Sequence, residues 1–130
     1  PQWLLDIVKA VDHPGLKLCL DIGHVALCGR EPQDAVRVLG HDRLGALHVH
    51  DVDYVNDLHT IPYLGRINWH QVIEALADID YKGEFTMESD AFLAPYPTDY
   101  LPIATKFMAD TTKYLANRLE SLIDEKNIDE

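Results

Sequence analysis

The stretch LGALHVH, residues 44–50, predicts a short β-strand whose two faces differ in chemistry. Successive side chains of a strand point to opposite faces, so leucine and valine share one face while His48 and His50 share the other. The same alternation recurs in LKLCLD at residues 16–21 and in EFTME at residues 84–88. The sequence therefore predicts three strands, each with an apolar face and a polar or small-residue face.

Segments with helical periodicity separate the predicted strands. They are residues 1–12, a helix from Pro32 to Leu39 that Gly40 ends, a helix that follows the capping box Asn68 to Gln71, and a terminal helix from near Pro102. Gly23 breaks the apolar pattern after the first strand, so a loop is expected there. The charged tail after Asp124 is expected to fray. Alternating strands and helices indicate βαβ units and a parallel sheet.

Each predicted strand carries an ionisable residue on its polar face at or near its end: Asp21, His48 and Glu88. Parallel strands present their C-terminal ends at one edge of a sheet or barrel, so the three side chains should converge. Two carboxylates and an imidazole suit Mn²⁺, Mg²⁺, Co²⁺ or Zn²⁺. Taken singly, each residue also has a structural interpretation, since such acids often cap helices or face solvent.

Composition favours one globular domain, with 130 residues of which 47% are hydrophobic. The 22 acidic and 11 basic residues give a net charge of -11, which argues against a nucleic-acid partner. Cys19 and Cys28 form no disulfide framework or structural zinc motif and are expected to be reduced thiols. No apolar run approaches the roughly 20 residues that span a bilayer, so a soluble, cytoplasmic protein without a membrane partner is expected.

Four motifs in order carry a resemblance to a known family: LDIGH (20–24), LHVHD (47–51), DLHTIPYLGRINW (57–69) and YKGEFTMES (81–89). They resemble the C-terminal half of the sugar phosphate isomerase/epimerase family, within the xylose isomerase-like TIM-barrel superfamily that also includes endonuclease IV. The resemblance implies an α/β fold, a partial (β/α)8 barrel of about three parallel strands with flanking helices. Residues 1–130 would form the C-terminal half of such a domain.

The resemblance also implies roles for individual residues. Asp21, His48 and Glu88 take the positions of ligands to a divalent metal ion. Glu88 would also act as a catalytic acid/base group. His24 takes the place of a catalytic histidine that contacts substrate oxygens.

Five further residues are candidates for the substrate pocket or its rim. Asp57 and His59 lie where the endonuclease IV branch binds additional zinc and where the isomerase branch lines its substrate pocket. Their alternative interpretation is a polar pair that caps its own turn. His50 is expected to bind substrate. Both His50 and Asp51 are candidates at the inner face or rim of the site. Tyr63 stands where much of the superfamily has a glycine after proline, so the loop is expected either to fold differently or to place Tyr63 over the pocket.

The family reaction converts or inverts a sugar or sugar phosphate through an enediolate, with the metal acting as a Lewis acid. The family's fourth ligand, a glutamate from an earlier strand, has no counterpart here, so the activity of the isolated chain is in doubt. Three parallel strands cannot close a barrel, and their free edges invite pairing. Association with a second copy or with a missing N-terminal half-barrel is therefore expected.

Two other functions remain open at the level of sequence. An endonuclease-IV-like metal phosphodiesterase would share the Asp-x-x-His and Asp-x-His motifs, although it would need a basic surface for DNA. A non-catalytic sugar-binding or assembly module would keep the fold without the chemistry. Bound metal together with sugar turnover would distinguish the enzyme from the module.

Overall fold

A three-stranded parallel sheet is the central layer of the fold. In spatial order its strands are β1 (Leu18–Asp21), β2 (Leu44–Val49) and β3 (Glu84–Met87). The structure is a computed structural model that describes residues 2–129, so Pro1, the first residue of the predicted N-terminal helix, and Glu130 lie outside it. The predicted parallel sheet is confirmed.

Helices cover the apolar face of this sheet. They are α1 (Gln2–Val11), α2 (Ile22–Leu27), α3 (Pro32–Leu39), α4 (Trp69–Asp78) and α5 (Leu101–Asp129), with a 3-10 turn at Asp90–Phe92. Asn68 caps α4, since it accepts a hydrogen bond from the Gln71 backbone N–H, but the Gln71 side chain accepts a hydrogen bond from Gln33 and does not complete the predicted capping box. Gly40 follows α3 with a φ of 71°, a conformation that costs glycine little. Residues 2–129 include no helix that combines the length and the apolar character needed to cross a bilayer.

Two predictions about helices are wrong. A loop was expected after β1, but α2 begins at Ile22 because the Asp21 carboxylate caps it, accepting a hydrogen bond from the His24 backbone N–H. The tail after Asp124 was expected to fray, but α5 continues to Asp129. The Lys126 ammonium contacts the Asp78 carboxylate of α4 and ties the last part of α5 to the domain.

The two faces of the sheet differ as the alternation predicts. Leu20, Leu47 and Val49 are buried under the helices, whereas Cys19 and Thr86 on the opposite face are exposed. Full burial of one such leucine contributes about 1.5–3 kcal/mol relative to exposure. The apolar face therefore forms the core, and the polar face is available for a functional site. Both cysteines are free, as expected.

Asp78 connects three helices through ion pairs. Its carboxylate contacts Arg37 of α3, at 2.9 Å from the guanidinium, and Lys126 of α5. The hydrogen bond from Lys126, assisted by the one from Arg37, lowers the pKa of the Asp78 carboxyl in spite of its partial desolvation. This pair of contacts fixes α4 between its two neighbours.

The polar face of the sheet has no covering layer among residues 2–129. β1 and β3 pair only with β2, so each leaves one backbone edge without a strand partner in this part of the chain. Helix α1 also exposes apolar side chains, among them Trp3 and Ile7. Unpaired strand edges and exposed apolar side chains are both features on which another polypeptide can pack.

We expect the 130-residue chain to associate through this open face. Size-exclusion chromatography with light scattering should give a mass above the 14.7 kDa of one chain. The substitution Thr86→Lys adds a charge to the exposed face of an edge strand and should reduce the associated fraction. Asn117→Lys, on the exposed side of α5, is the matched control. A well-folded monomer with cooperative unfolding would contradict the expectation.

Candidate metal and substrate site

Asp21, His48 and Glu88 meet at the C-terminal end of the sheet, as expected. Parallel pairing places Asp21 opposite His48, and Glu88 directly follows the neighbouring strand β3. One potential ligand atom from each residue lies within 4.8 Å of the others. His48 Nδ1 is 2.8 Å from Glu88 Oε2 and 3.9 Å from Asp21 Oδ2. The three strands thus bring two carboxylates and an imidazole to one point.

The environment of Glu88 fits a cation at this point. Glu88 Oε2 is shielded from solvent and forms no hydrogen bond, although His48 Nδ1 lies 2.8 Å from it. A shielded carboxylate oxygen is costly unless a positive partner compensates it. A divalent ion held by two carboxylates and an imidazole would supply that partner. The donor set suits Mn²⁺, Mg²⁺, Co²⁺ or Zn²⁺ without distinguishing among them.

Asp21 is the most constrained of the three residues. Its Oδ1 accepts hydrogen bonds from the His24 backbone N–H at 2.8 Å and from His50 Nε2 at 2.9 Å. Its Oδ2 lies 2.8 Å from His24 Nδ1. Partial burial by itself raises the pKa of Asp21, but the hydrogen bonds from His50 and His24 outweigh it, so the pKa lies below its ordinary value. The carboxylate is therefore ionised at neutral pH.

A second group adjoins the first and contains His24, His50, Asp57 and His59. Asp57 is the bridge, since its Oδ2 is 3.4 Å from His24 Nε2 and its Oδ1 is 3.2 Å from His59 Nε2. The side chains of His24 and Asp57 are about half exposed, and that of His59 is 21% exposed. Asp57 and His59 thus contact another element of the site and do more than cap their own turn. The ligand atoms of the four residues are close enough to hold a further cation.

His50 differs from the other members of this group because its side chain is fully enclosed, with 0% exposure. Its ring stacks on that of His59, with centroids 3.9 Å apart and an interplanar angle of 11°. A Cβ at Gly23 would lie 2.1 Å from His50 Cε1, so only glycine lets α2 approach the ring. A loop and a helix separate the His50 ring from the open side of the site. This enclosure argues against the expected contact between His50 and substrate.

Asp51 is a structural residue and not a rim ligand. Its buried carboxylate accepts hydrogen bonds from the backbone N–H groups of Val52, Tyr63 and Ile67 and from the indole of Trp69, at 2.8–3.1 Å. These bonds close the loop between β2 and α4, which carries Asp57 and His59. Four donors satisfy the lone pairs of a buried carboxylate, so the group is stable away from water.

The same loop contains backbone strain. Tyr54, His59 and Tyr63 have φ values of 70°, 41° and 77°, in the left-handed region that non-glycine residues rarely adopt. Such residues persist where surrounding contacts hold them, often at functional sites. The Tyr63 ring lies edge-on to Tyr114 of α5, with centroids 6.4 Å apart, so it packs on the outside and does not cover the pocket. Of the two alternatives for this loop, a Tyr63 side chain over the pocket is therefore not found.

Three residues that the sequence did not assign to the site also shape it. Gly23 admits the His50 ring, and Gly65 admits the Asp51 carboxylate, since a Cβ at Gly65 would lie 2.2 Å from Asp51 Oδ1. Asp90 Oδ1 lies 3.7 Å from His59 Nδ1. Asp90 lies two residues after Glu88, just past the end of β3. This position in the sequence was a signal that Asp90 could belong to the site.

Comparison with known proteins identifies the family. Residues 1–110 match the family model described as xylose isomerase-like TIM barrel. The chain belongs to this family. Its three parallel strands and flanking helices are a partial TIM barrel, so the predicted fold class and the resemblance are both confirmed.

Relatives in the xylose isomerase-like family include sugar epimerases. The chain is 38% identical over 84 residues to D-psicose 3-epimerase of Ruminiclostridium cellulolyticum, a match that covers 65% of this chain and 27% of the epimerase. It is 32% identical over 84 residues to D-psicose 3-epimerase of Enterocloster bolteae, covering 65% and 26%. A crystal structure of a D-tagatose 3-epimerase-like protein superposes with a TM-score of 0.67 at 25% identity, covering 92% of this chain and 43% of that one.

The matches span only part of each relative. The match to an uncharacterised protein of Methanocaldococcus jannaschii is similarly partial. It has 36% identity over 91 residues, which cover 68% of this chain and 31% of the relative. The chain thus spans between about a quarter and a third of the curated relatives it matches.

The carboxylate of Asp51 generates a prediction about the site loop. Asp51→Asn replaces one acceptor oxygen with an NH₂ group that faces N–H donors, so we expect a loss of about 1–3 kcal/mol in the free energy of unfolding. Urea denaturation measures the loss, and the indole N–H resonance of Trp69 should shift. Asp53→Asn, in an exposed turn of the same loop, should leave the Trp69 resonance in place. Equal effects of the two substitutions would show that the Asp51 bonds do not hold the loop.

Proposed function

We propose that this chain carries the metal site and part of the substrate site of a metal-dependent sugar isomerase or epimerase. The observation that carries the proposal is the convergence of Asp21, His48 and Glu88, with a shielded Glu88 oxygen that no donor satisfies. The names of the relatives, D-psicose 3-epimerase and D-tagatose 3-epimerase-like protein, support a ketose sugar, free or phosphorylated, as the substrate class.

Asp21, His48 and Glu88 would hold the divalent ion, which when bound stabilises negative charge that develops on neighbouring sugar oxygens. The Glu88 side chain is 39% exposed and projects from the end of β3 toward the open face of the sheet. We assign to it the transfer of a proton to or from the sugar carbon beside the carbonyl group. Asp21 would serve only as a fixed, ionised ligand of the divalent ion.

His24, Asp57 and His59 would bind the hydroxyl groups of the sugar. A hydroxyl both donates and accepts hydrogen bonds, so a carboxylate between two imidazoles suits it. His24 is held by Asp21 on one side and faces Asp57 on the other, which fixes its ring beside the metal ligands. We assign to His24 the catalytic contact with a substrate oxygen that takes part in the reaction.

We also propose that residues 1–130 are the C-terminal half of a barrel domain. The open polar face of the sheet, its free strand edges and the partial coverage of the relatives named above support this. The remaining strands would come from a missing half-barrel or a second copy. They would cover the site and supply a second acid/base group on the opposite side of the sugar.

Metal binding is the first test of the proposed function. The chain, titrated with Mn²⁺ and followed by isothermal calorimetry and by the loss of the free-ion EPR signal, should bind the ion. His48→Leu and Glu88→Gln each remove a ligand and should weaken binding at least as much as the 10–100-fold typical for loss of an outer-shell partner. His70→Gln, on the exposed side of α4, is the control and should bind like the wild type.

Absence of Mn²⁺, Co²⁺ and Zn²⁺ binding by the wild-type chain would refute the metal site. Equal weakening by His70→Gln would show that any bound ion sits on the acidic surface instead.

Turnover is the second test. The associated form of the chain, loaded with Mn²⁺ and incubated with D-psicose or D-tagatose in D₂O, should exchange a carbon-bound proton beside the carbonyl for deuterium, as seen by NMR. Loss of a general acid/base typically costs 10²–10⁴-fold, so Glu88→Gln should abolish detectable exchange. Metal binding without exchange in any preparation that includes the full barrel would favour the non-catalytic module.

One observation favours a second candidate, a metal phosphodiesterase. The group of His24, His50, Asp57 and His59 could hold a further cation, and Asp57 and His59 resemble in position residues that bind additional zinc in the endonuclease IV branch. The net charge of -11 opposes this, since DNA binding requires a basic surface. Cleavage of DNA at abasic sites by the metal-loaded chain would overturn the assignment to sugars.

A further inference from the structure

We propose that His50 is a positioning residue for the metal site, and that it acts by holding the Asp21 carboxylate through its Nε2–H group. The inference rests on the proposed function, because Asp21 matters as a ligand only if a metal binds. It differs from the substrate contact that the sequence suggested for His50. The ring is fully enclosed and can influence the reaction only through the groups it touches.

The hydrogen bond between His50 and Asp21 has a defined direction. A carboxylate that serves as a metal ligand is deprotonated, and a deprotonated carboxylate only accepts hydrogen bonds. The proton between His50 Nε2 and Asp21 Oδ1, which are 2.9 Å apart, therefore belongs to Nε2. Oδ1 also accepts from the His24 backbone N–H at 2.8 Å. With two donors on Oδ1, the other oxygen, Oδ2, faces His24 Nδ1 at 2.8 Å and His48 Nδ1 at 3.9 Å.

His50 itself cannot easily move. Its ring stacks on His59, meets the edge of His24 with centroids 5.1 Å apart, and lies against the backbone at Gly23. A donor held on several sides keeps the carboxylate from rotating about its own side-chain bonds. Outer-shell hydrogen bonds of this kind orient metal ligands and contribute measurably to metal affinity.

The competing explanation is that His50 ligates a cation directly. Its Nδ1 is buried and has no hydrogen-bond partner, so a lone pair is available there. The two explanations differ in the nitrogen that matters, which is Nε2 for positioning and Nδ1 for ligation. A substitution that retains a donor near Nε2 without a metal-binding nitrogen therefore separates them.

The test compares His50→Gln with His50→Leu for Mn²⁺ affinity by isothermal calorimetry. The glutamine amide N–H₂ can reach the position of Nε2 and donate to Asp21, whereas leucine fills the space without a donor. We expect His50→Leu to weaken Mn²⁺ binding by about 10–100-fold and His50→Gln to restore most of the loss. Circular dichroism and urea denaturation confirm that both variants are folded, and Mn²⁺ affinity is compared only between folded chains.

Two results would overturn the proposal. Unchanged affinity in folded His50→Leu would show that Asp21 needs no support from His50. Equal weakening in folded His50→Gln and His50→Leu would assign His50 a ligand role through Nδ1.

A second measurement does not depend on the metal. In the ¹⁵N-labelled wild-type chain, the ring nitrogen shifts of His50 should show a protonated Nε2, with that proton protected from exchange. An unprotonated Nε2 would refute the hydrogen bond on which the proposal stands. If the wild-type chain bound no metal, the proposed function would fail, and the tautomer would still decide whether His50 holds Asp21.

Discussion

Parallel pairing of β1, β2 and β3 is the constraint from which the site follows. Because Asp21 pairs with His48 and Glu88 comes directly after β3, three ionisable side chains must emerge on one face and at one end of the sheet. A shift of any strand by one residue would turn its side chain toward the helices, where an unpaired charge is costly. The buried leucines of the opposite face therefore fix the position of the candidate metal ligands as well as the core.

A second layer of constraints places the residues that the strands do not carry. The loop between β2 and α4 holds Asp57 and His59 against His24, and this loop is closed by the buried carboxylate of Asp51. Gly65 makes the closure possible because no side chain fits beside Asp51. The strained backbone of the loop is thus supported by hydrogen bonds from within the same segment.

The open face of the sheet is the surface that a partial barrel of this family leaves uncovered. A complete TIM barrel has eight strands and a packed interior, whereas this sheet has three strands and an uncovered inner surface. Three candidate ligands lie at the C-terminal end of this sheet. Three candidate substrate contacts lie beside them, on α2 and on the loop between β2 and α4. A covering half would exclude water from them, which strengthens every electrostatic interaction in the site.

The sequence by itself determined the parallel α/β layout, the two faces of each strand and the convergence of Asp21, His48 and Glu88, because strand alternation depends only on residue order. It did not determine α2, since a glycine after a strand commonly ends regular structure and the capping of α2 by Asp21 needs a three-dimensional contact. Nor did it separate the buried His50 from the exposed His24, or the structural Asp51 from Asp57. Those distinctions depend on which loop covers which side chain, and only the tertiary structure decided them, through contacts between residues far apart in the chain.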